Sequence, residues 1–502
     1  MPSLEVDPKN RLNDLDSRRW LQFQKSWFYF STETPAEFMA FFTKEFCNDG
    51  QPSTTNSPAS SKRSTVGIFP ENAAMLEPMA KSLGREAIVL EGPLLASSPI
   101  ALDYIIVDLR QIFQDEENYV RQAPAWLERL HAAAALMKPN SYLTMFLCNS
   151  EADNRYLPLA WEFGKLVGDF LTMKDEKIGC ERGEDRAAAE NFTTPAPTPK
   201  HIVTSGAEVV YCLNFRRDAA VEVIPPLPPF VPAQERHDQQ KTGNESSWDE
   251  RLAWFVVKPP PREKNVLLHP AKFPEPFIQQ FIERFTAPGE RVFDPMAGTG
   301  SSLVAAVACN RAAYGIELNP AFCDIIQQRF EARRAELPSA STWQVCSGDA
   351  GVAKTYTKLP KSFHYVITSP PYWDMLRMKG AETQQKRKQA GLLQFYSDDK
   401  RDLGNMASYE DFLENLVKIY QRVGARLDPG RYMTIIVKNV KKKGQIFPLA
   451  WDLSFRLRDD FALCREQFWC QDDQKLAPFG YRYAWVSNTF HHYCLHFQKP
   501  LS

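Results

Sequence analysis

The segment Thr368-Ser369-Pro370-Pro371-Tyr372-Trp373 sets a hydroxyl, two prolines and two aromatic rings side by side. That combination suits the activation of an exocyclic amine on an aromatic base, whose lone pair is delocalised into the ring and weakly nucleophilic. Acceptors placed against its two N–H groups favour a pyramidal nitrogen with the lone pair aimed at an electrophile such as a sulfonium methyl. The Ser369 hydroxyl and the Pro370 carbonyl are the candidate acceptors, and Pro370-Pro371 preorganises that carbonyl by fixing the backbone. Tyr372 could stack on a base that has left its duplex. No covalent nucleophile is needed, because such a donor arrives activated and catalysis is mainly orientation. The bland alternative is a Pro-Pro turn after a strand.

A second segment, Asp294-Pro295-Met296-Ala297-Gly298-Thr299-Gly300-Ser301, has the form of a strand end, a glycine turn and a helix start. Gly298 and Gly300 let backbone approach a ligand that a Cβ would block. The Asp294 carboxylate can face the ammonium of a methionine moiety. The next apolar run ends at Glu317, placed to hydrogen-bond a ribose diol. A third ends at Asp349, an acceptor for an adenine amino group or, alternatively, a turn or cap residue. The turn and the two spaced acids point to an adenosine-bearing cofactor. The turn alone would be weak evidence, since many nucleotide enzymes use one.

These segments need strand ends beside helix starts. After residue 248, a Phe-striped helix at 275–286 precedes a strand ending at Val292-Phe293. Helical and apolar runs then alternate through 320–336, HYVIT, a long helix near 408–427 and YMTIIVKN. Such alternation predicts a doubly wound, mostly parallel α/β sheet with its ligand at the strands' carboxyl ends.

The first half repeats the pattern. Ser26-Trp27-Phe28 matches Ala253-Trp254-Phe255, and Phe38, Phe42 and Phe46 match Phe277, Phe281 and Phe285 at helical spacing. Pro139, Tyr142, Thr144 and Asn149 match Pro429, Tyr432, Thr434 and Asn439, and Pro158-Leu159-Ala160-Trp161 matches Pro448-Leu449-Ala450-Trp451, all separated by 290. Tyr211-Cys212-Leu213 matches Tyr493-Cys494-Leu495. The expected fold is therefore two tandem Rossmann-like domains. The first, residues 1–216, is degenerate: IFPENAAML replaces the glycine turn and Asp108-Leu109-Arg110-Gln111 replaces the Ser-Pro-Pro-Tyr loop. Residues 217–247, Pro-rich then polar, read as a linker, and 248–502 as the catalytic domain.

With 44% hydrophobic and 24% charged residues the chain reads as globular, and its net charge of −1 confines any nucleic-acid surface to a local patch. No apolar run is long enough to span a bilayer, the N-terminus does not read as a secretory signal, and ten cysteines lack Cys-x-x-Cys spacing. A reduced, cytoplasmic protein without structural metal is the expectation. His491-His492 reads as ordinary strand rather than a metal site.

The second half resembles the DNA amino-methyltransferases, the N4-cytosine and N6-adenine class, whose cofactor loop reads Asp-Pro-x-x-Gly-x-Gly-Ser/Thr and whose catalytic loop reads Asp/Asn/Ser-Pro-Pro-Tyr/Phe. The resemblance covers about residues 248–502. It implies S-adenosylmethionine as cofactor, S-adenosylhomocysteine as product and double-stranded DNA as partner, with a restriction or defence system as a possible further partner. It implies that Ser369, Pro370, Pro371 and Tyr372 are catalytic. Asp294, Met296, Ala297, Gly298, Thr299, Gly300, Ser301, Glu317, Leu318, Asp349 and Ala350 would bind cofactor. His269-Pro270-Ala271-Lys272-Phe273-Pro274 is similar to the family's additional cofactor segment, adding His269, Lys272 and Phe273. Ser in the first position of the catalytic loop favours cytosine N4; adenine N6, an RNA substrate, or a silent nucleic-acid binder are the alternatives.

Relative to the first copy, the second gains about 29 residues around 374–404. From Met375 to Asn405 there are seven Lys/Arg against four Asp/Glu, so this insert reads as either a target-recognition element or a solvated basic loop. Trp373, Arg377, Gln384, Arg387 and Lys388 are its candidate target contacts. Lys441, in Lys441-Lys442-Lys443-Gly444, is a phosphate-contact candidate or part of a charged turn. The silent half could recognise target, bury the active half's face, or be relic structure; the expected arrangement is a pseudo-dimer with substrate passing between the halves.

Overall fold

The computed structural model describes residues 13–47, 62–92, 100–152, 155–181, 202–206, 208–227, 230, 252–257, 273–338, 341–373, 399, 401–472 and 489–501. His269, Lys272, Arg377, Gln384, Arg387, Lys388 and most of the linker and insert lie outside them.

The strands of the first half are β1 (Trp27–Tyr29), β2 (Thr65–Ile68), β3 (Glu86–Val89), β4 (Leu102–Asp108), β5 (Met137–Leu147), β6 (Thr172–Glu181), β7 (Ile202–Gly206) and β8 (Glu208–Arg216). Those of the second are β9 (Trp254–Val257), β10 (Arg291–Asp294), β11 (Ala312–Glu317), β12 (Trp343–Ser347), β13 (Phe363–Thr368), β14 (Leu427–Val437), β15 (Gln467–Cys470) and β16 (His491–Gln498). One sheet runs β1-β6-β8-β5-β4-β2-β3 and the other β7-β9-β15-β16-β14-β13-β10-β11-β12, with the short strand Ala462–Leu463 also pairing with β16. Without β7 and β12 the two orders are the same, and parallel and antiparallel pairings fall at the same places. The expected fold class is present twice.

Buried polar contacts repeat with the topology. The Tyr104 hydroxyl donates to Thr144 Oγ1 at 2.6 Å, as Tyr365 does to Thr434. Arg85 Nε donates to Thr43 Oγ1 at 3.0 Å, as Arg311 does to Thr286 at 2.9 Å. These contacts correct one match. Phe42 packs on Tyr104 and Tyr142 as Phe285 packs on Tyr365 and Tyr432. Phe42 is therefore the counterpart of Phe285, and the expected pairing slipped by one helical turn. Three phenylalanines four residues apart look the same after a shift of four. Phe46 lies beyond the helix Thr34–Phe42, in a short strand.

The halves meet face to face through reciprocal contacts. Tyr211 donates to Glu466, and Tyr493 donates to Glu176. Asn149 donates to Glu466 at 3.2 Å and Asn439 to Glu176 at 2.9 Å. Trp27 Nε1 donates to the Gln471 carbonyl and Trp254 Nε1 to that of Glu181. Trp161 and Trp451 stack at 6.3 Å and 8°. Since contact i–j recurs as j–i, the interface is isologous, that of a two-fold dimer whose subunits share one chain. One hydrophobic cluster runs through both halves, and each half has a further cluster of its own.

Two domain boundaries move. β7 lies before the linker but pairs antiparallel with β9, so the first half supplies an edge strand to the second sheet. Residues 217–227 are not free linker. Arg217 donates to the Met137 and Ala135 carbonyls, Ile224 is buried, and the Pro225 carbonyl lies 2.7 Å from His131 Nε2.

Candidate active site

The special residues fall where the sheet order requires, at the carboxyl ends of four neighbouring parallel strands: Asp294 on β10, Glu317 on β11, Asp349 just after β12 and Ser369 just after β13. β10 is apolar and buried up to Asp294. The chain then turns through Gly298 (φ 53°) and Gly300 (φ 77°) into the helix Ser301–Ala308. A Cβ on Gly300 would stand 2.8 Å from Ile326 Cγ1, so glycine is needed for space as well as for backbone angle. The other wall starts from the helix Tyr409–Gly424, capped by Ser408 and carrying Glu410 and Asp411 in its first turn. Its apolar face, Phe412, Leu416, Ile419 and Val423, is buried, and Ile419 reaches the pocket.

A pocket open to solvent lies over these ends, and the described residues that line it all belong to the second half. Phe273, Asp294, Met296, Ala297, Gly298, Thr299, Ser301, Glu317, Leu318, Asp349, Ala350, Ser369, Pro370 and Pro371 all line it, as the sequence led us to expect. Gly300 shapes the turn without lining the pocket. The sequence reading missed several lining residues, among them Asn319, Phe322, Thr368, Arg401 and Asp402. Thr368 adjoins the catalytic loop and Phe322 follows Glu317 by a helical turn, so proximity could have suggested both. Arg401 and Asp402 come from the far end of the insert, and no spacing rule places them here.

The carboxylates have distinct surroundings. Asp294 Oδ1 accepts from the Met296 N–H at 3.0 Å and from Thr368 Oγ1 at 2.8 Å, and its other oxygen accepts from the Ser302 hydroxyl. It joins β10 to β13 and to the helix behind the glycine turn. Burial pushes its pKa up to about 6, against the pull of those donors. Glu317 accepts from the Gly298 N–H at 2.7 Å and the Asn319 N–H at 2.8 Å, one on each oxygen. Its second lone pairs remain for a diol. Burial raises it to about 7, and Asp294 adds to the rise. Asp349 makes the turn contact, accepting from the Gly351 N–H at 2.6 Å, and it also lines the pocket. A glycine turn, a carboxylate with spare lone pairs and an acid on the next strand fit an adenosine cofactor bearing a cationic amino-acid arm.

Three target-side expectations are corrected. Trp373 is 4% exposed: its Nε1 donates to the Met406 carbonyl at 2.9 Å and its ring packs on Tyr409 and Phe447, so it anchors the loop. Tyr372 is also buried and does not line the pocket, so stacking on a base requires the loop to shift. Lys441 is not part of a merely solvated charged turn: it pairs with Asp175 of the first half. His491 and His492 are buried strand residues, with His491 Nδ1 2.8 Å from Ser26 Oγ and His492 stacked on Trp469.

The first half has filled the corresponding place. Ile68 ends β2 where Asp294 ends β10, and wholly buried Phe69 leads straight into the helix Pro70–Ser82 without a glycine turn. Phe69 packs edge-on against Trp126 at 5.2 Å. At the end of β4, Asp108 pairs with Arg110, whose guanidinium lies over Phe30.

Organised in this way, the second half is a doubly wound α/β domain of Rossmann-like topology. Residues 100–328 match the DNA methylase family of the N6/N4 type. The match begins at the first half's β4 and ends in the helix Pro320–Ala332, so it includes the glycine turn and Glu317 but stops before Ser369. The Type II methyltransferase M.MthZI of Methanothermobacter thermautotrophicus is 30% identical over 102 residues, 18% of this chain and 29% of that protein. The orphan methyltransferase M.BamHII of Bacillus amyloliquefaciens is 35% identical over 69 residues, 14% and 26% of the two chains. The chain thus spans under a third of the length of these curated relatives. Among solved structures, TrmN from Thermus thermophilus aligns over 85% of this chain and 78% of its own at 13% identity and a TM-score of 0.30. Among the described residues no helix is long and apolar enough to cross a membrane.

Proposed function

We propose that the second half transfers a methyl group from S-adenosylmethionine to the exocyclic amine of a base flipped out of double-stranded DNA, with cytosine N4 favoured over adenine N6. The observation that carries this reading is the convergence of the Ser369-Pro370-Pro371 loop and Asp294, Glu317 and Asp349 on one pocket. When bound, the cofactor supplies an activated methyl group. Glu317 would hold the ribose diol, Asp349 would accept from the adenine amine, and the Asp294 side of the pocket would face the cationic amino-acid arm. Ser369 Oγ and the Pro370 carbonyl would accept from the amine's two N–H groups, orienting its lone pair; the amine's extra proton leaves through these acceptors or to water. The glycine turn and the open pocket favour an enzyme over a silent binder. Ser in place of Asp or Asn at the head of the loop favours cytosine.

Incubating mixed-sequence DNA with the protein and isotope-labelled S-adenosylmethionine, then analysing nucleosides by mass spectrometry, should reveal labelled N4-methylcytosine. Labelled N6-methyladenine would reverse the base preference, and no labelled nucleoside would sink the reading.

The two raised carboxyls also predict a pH dependence. Their protonated forms are favoured in the folded pocket, so the stability they contribute is present below the ordinary carboxylate range and lost as pH rises through about 6 and 7. A cationic cofactor prefers the ionised forms. Its affinity, read by calorimetry, should therefore rise between pH 5.5 and 7.5, by up to about tenfold per titrating group per pH unit. An affinity flat across that window would show that neither carboxyl senses the cofactor.

A further inference from the structure

The hairpin formed by Val440–Lys442 and Gln445–Phe447 carries Lys441, Lys442 and Lys443 in succession. Lys443 (φ 51°) and Gly444 (φ 71°) make its tight turn, and both are exposed. Lys441 pairs with Asp175 of the silent half and Lys442 lies over the Trp373 ring, so the exposed tip residue Lys443 is the hairpin's outward charge.

Two sets of contacts fix where this hairpin stands. Trp373, next after the Ser-Pro-Pro-Tyr loop, packs on Phe447 at 4.9 Å, and Lys442 Nζ lies 3.8 Å from the centroid of the Trp373 ring. The catalytic loop and the basic hairpin are thus packed together through one side chain. On the other side, Asn439 donates to Glu176 and Lys441 pairs with Asp175, both on β6 of the silent half. Asp175 is wholly buried, lies beside a register shift in β6 and also pairs with Lys177 at 3.1 Å.

The silent half has its own copy of this hairpin, Ser150–Ala152 with Arg155–Leu157, 290 residues earlier. There Glu151 stands for Lys441, Ala152 for Lys442 and, in sequence, Asp153 for Lys443. The hairpin is basic only in the copy that keeps the pocket. In a chain of net charge −1, attraction to a polyanion must come from local groups such as these.

We propose that the Val440–Phe447 hairpin contacts the phosphate backbone of double-stranded DNA through its tip residue Lys443, and that the silent half serves to hold it beside the catalytic loop through Asp175 and Glu176. The proposal rests on the methyltransferase reading above and gives the silent half a positioning task in substrate binding.

The test is binding of a fluorescent mixed-sequence duplex by the full chain across a potassium chloride series. Lys443→Asn removes the charge with a residue that tolerates the left-handed conformation. It should flatten the slope of log affinity against log salt by about one, and Lys443→Glu should weaken binding further. Cofactor affinity should be unchanged in both. As a positioning residue, Asp175→Asn should raise the KM for DNA several-fold while leaving kcat and the KM for S-adenosylmethionine near those of the parent. An unaltered salt slope in both Lys443 variants overturns the proposal, as does a slope that changes only with an RNA duplex. If the parent methylates DNA and the slopes do not move, the hairpin assignment alone fails. If the slopes move but the parent methylates nothing, the methyltransferase reading fails and the DNA contact stands.

Discussion

Residues 245–502 produced alone are expected to aggregate or pair with themselves, and to show less than about a tenth of the full chain's methylation. Three features would be lost together. The first is β7, whose removal exposes the backbone edge of β9. The second is the partner of Trp451, which stacks on Trp161. A tryptophan of that kind buries roughly 150–250 Å2, worth about 4–6 kcal/mol at about 25 cal/mol/Å2 as an upper estimate. The third is the pair of reciprocal carboxylate contacts. Without the first half, Glu466 loses Tyr211 and Asn149 in a site where burial already raises its pKa. One tryptophan alone is comparable with the roughly 5–15 kcal/mol that holds a domain folded. Size-exclusion chromatography with a methylation assay gives the answer; a soluble, monomeric, fully active fragment would show that the interface adds nothing to the catalytic half.

Asp294→Asn and Asp294→Ala should separate the charge of that residue from its bonds. Asn keeps an acceptor for the Met296 N–H and Thr368 Oγ1, and the Ser302 hydroxyl can turn to accept from its amide. The fold should survive, with a melting temperature within a few degrees of the parent. Cofactor affinity should fall about 10- to 100-fold, the size expected for a charge-assisted contact of about 1.5–3 kcal/mol. Ala removes the acceptor as well and strands buried donors at about 1–3 kcal/mol each. It should lower the melting temperature by several degrees and abolish measurable methylation, because Thr368, next to Ser369, loses its anchor. Thermal melts with cofactor titrations read both effects. If Asn binds cofactor like the parent, the carboxylate is structural only.

The chemistry of the site was more legible than its frame. Asp294, Glu317, Asp349 and Ser369 could be placed together because a parallel sheet sends successive strand ends to one edge, a rule that needs only strand order. The duplication was legible wherever matches included unlike residues, as in Pro158-Leu159-Ala160-Trp161. It slipped at Phe38, Phe42 and Phe46, where self-similar spacing allows two registers. Trp373 looked like a target contact because an aromatic beside a catalytic loop offers the same ring whether it faces outward or inward. Its burial depends on Phe447 and Tyr409, far along the chain. Lys441 was misplaced for the same reason: its partner Asp175 is in the other half. That β7 belongs to the second sheet could not be read from order along the chain at all.

The reciprocal interface, with one open pocket and one place filled by Phe69, gives a single chain the outline of a dimer with one pocket. A two-fold pair of working sites could address both strands of a symmetric duplex in one encounter. On the proposed reaction, a chain with one such pocket would address one strand at a time. For a target that reads alike on both strands, the protein would have to release, turn about and bind again, so that half-modified duplex must accumulate before fully modified duplex. A target that reads differently on its two strands would impose no such second visit.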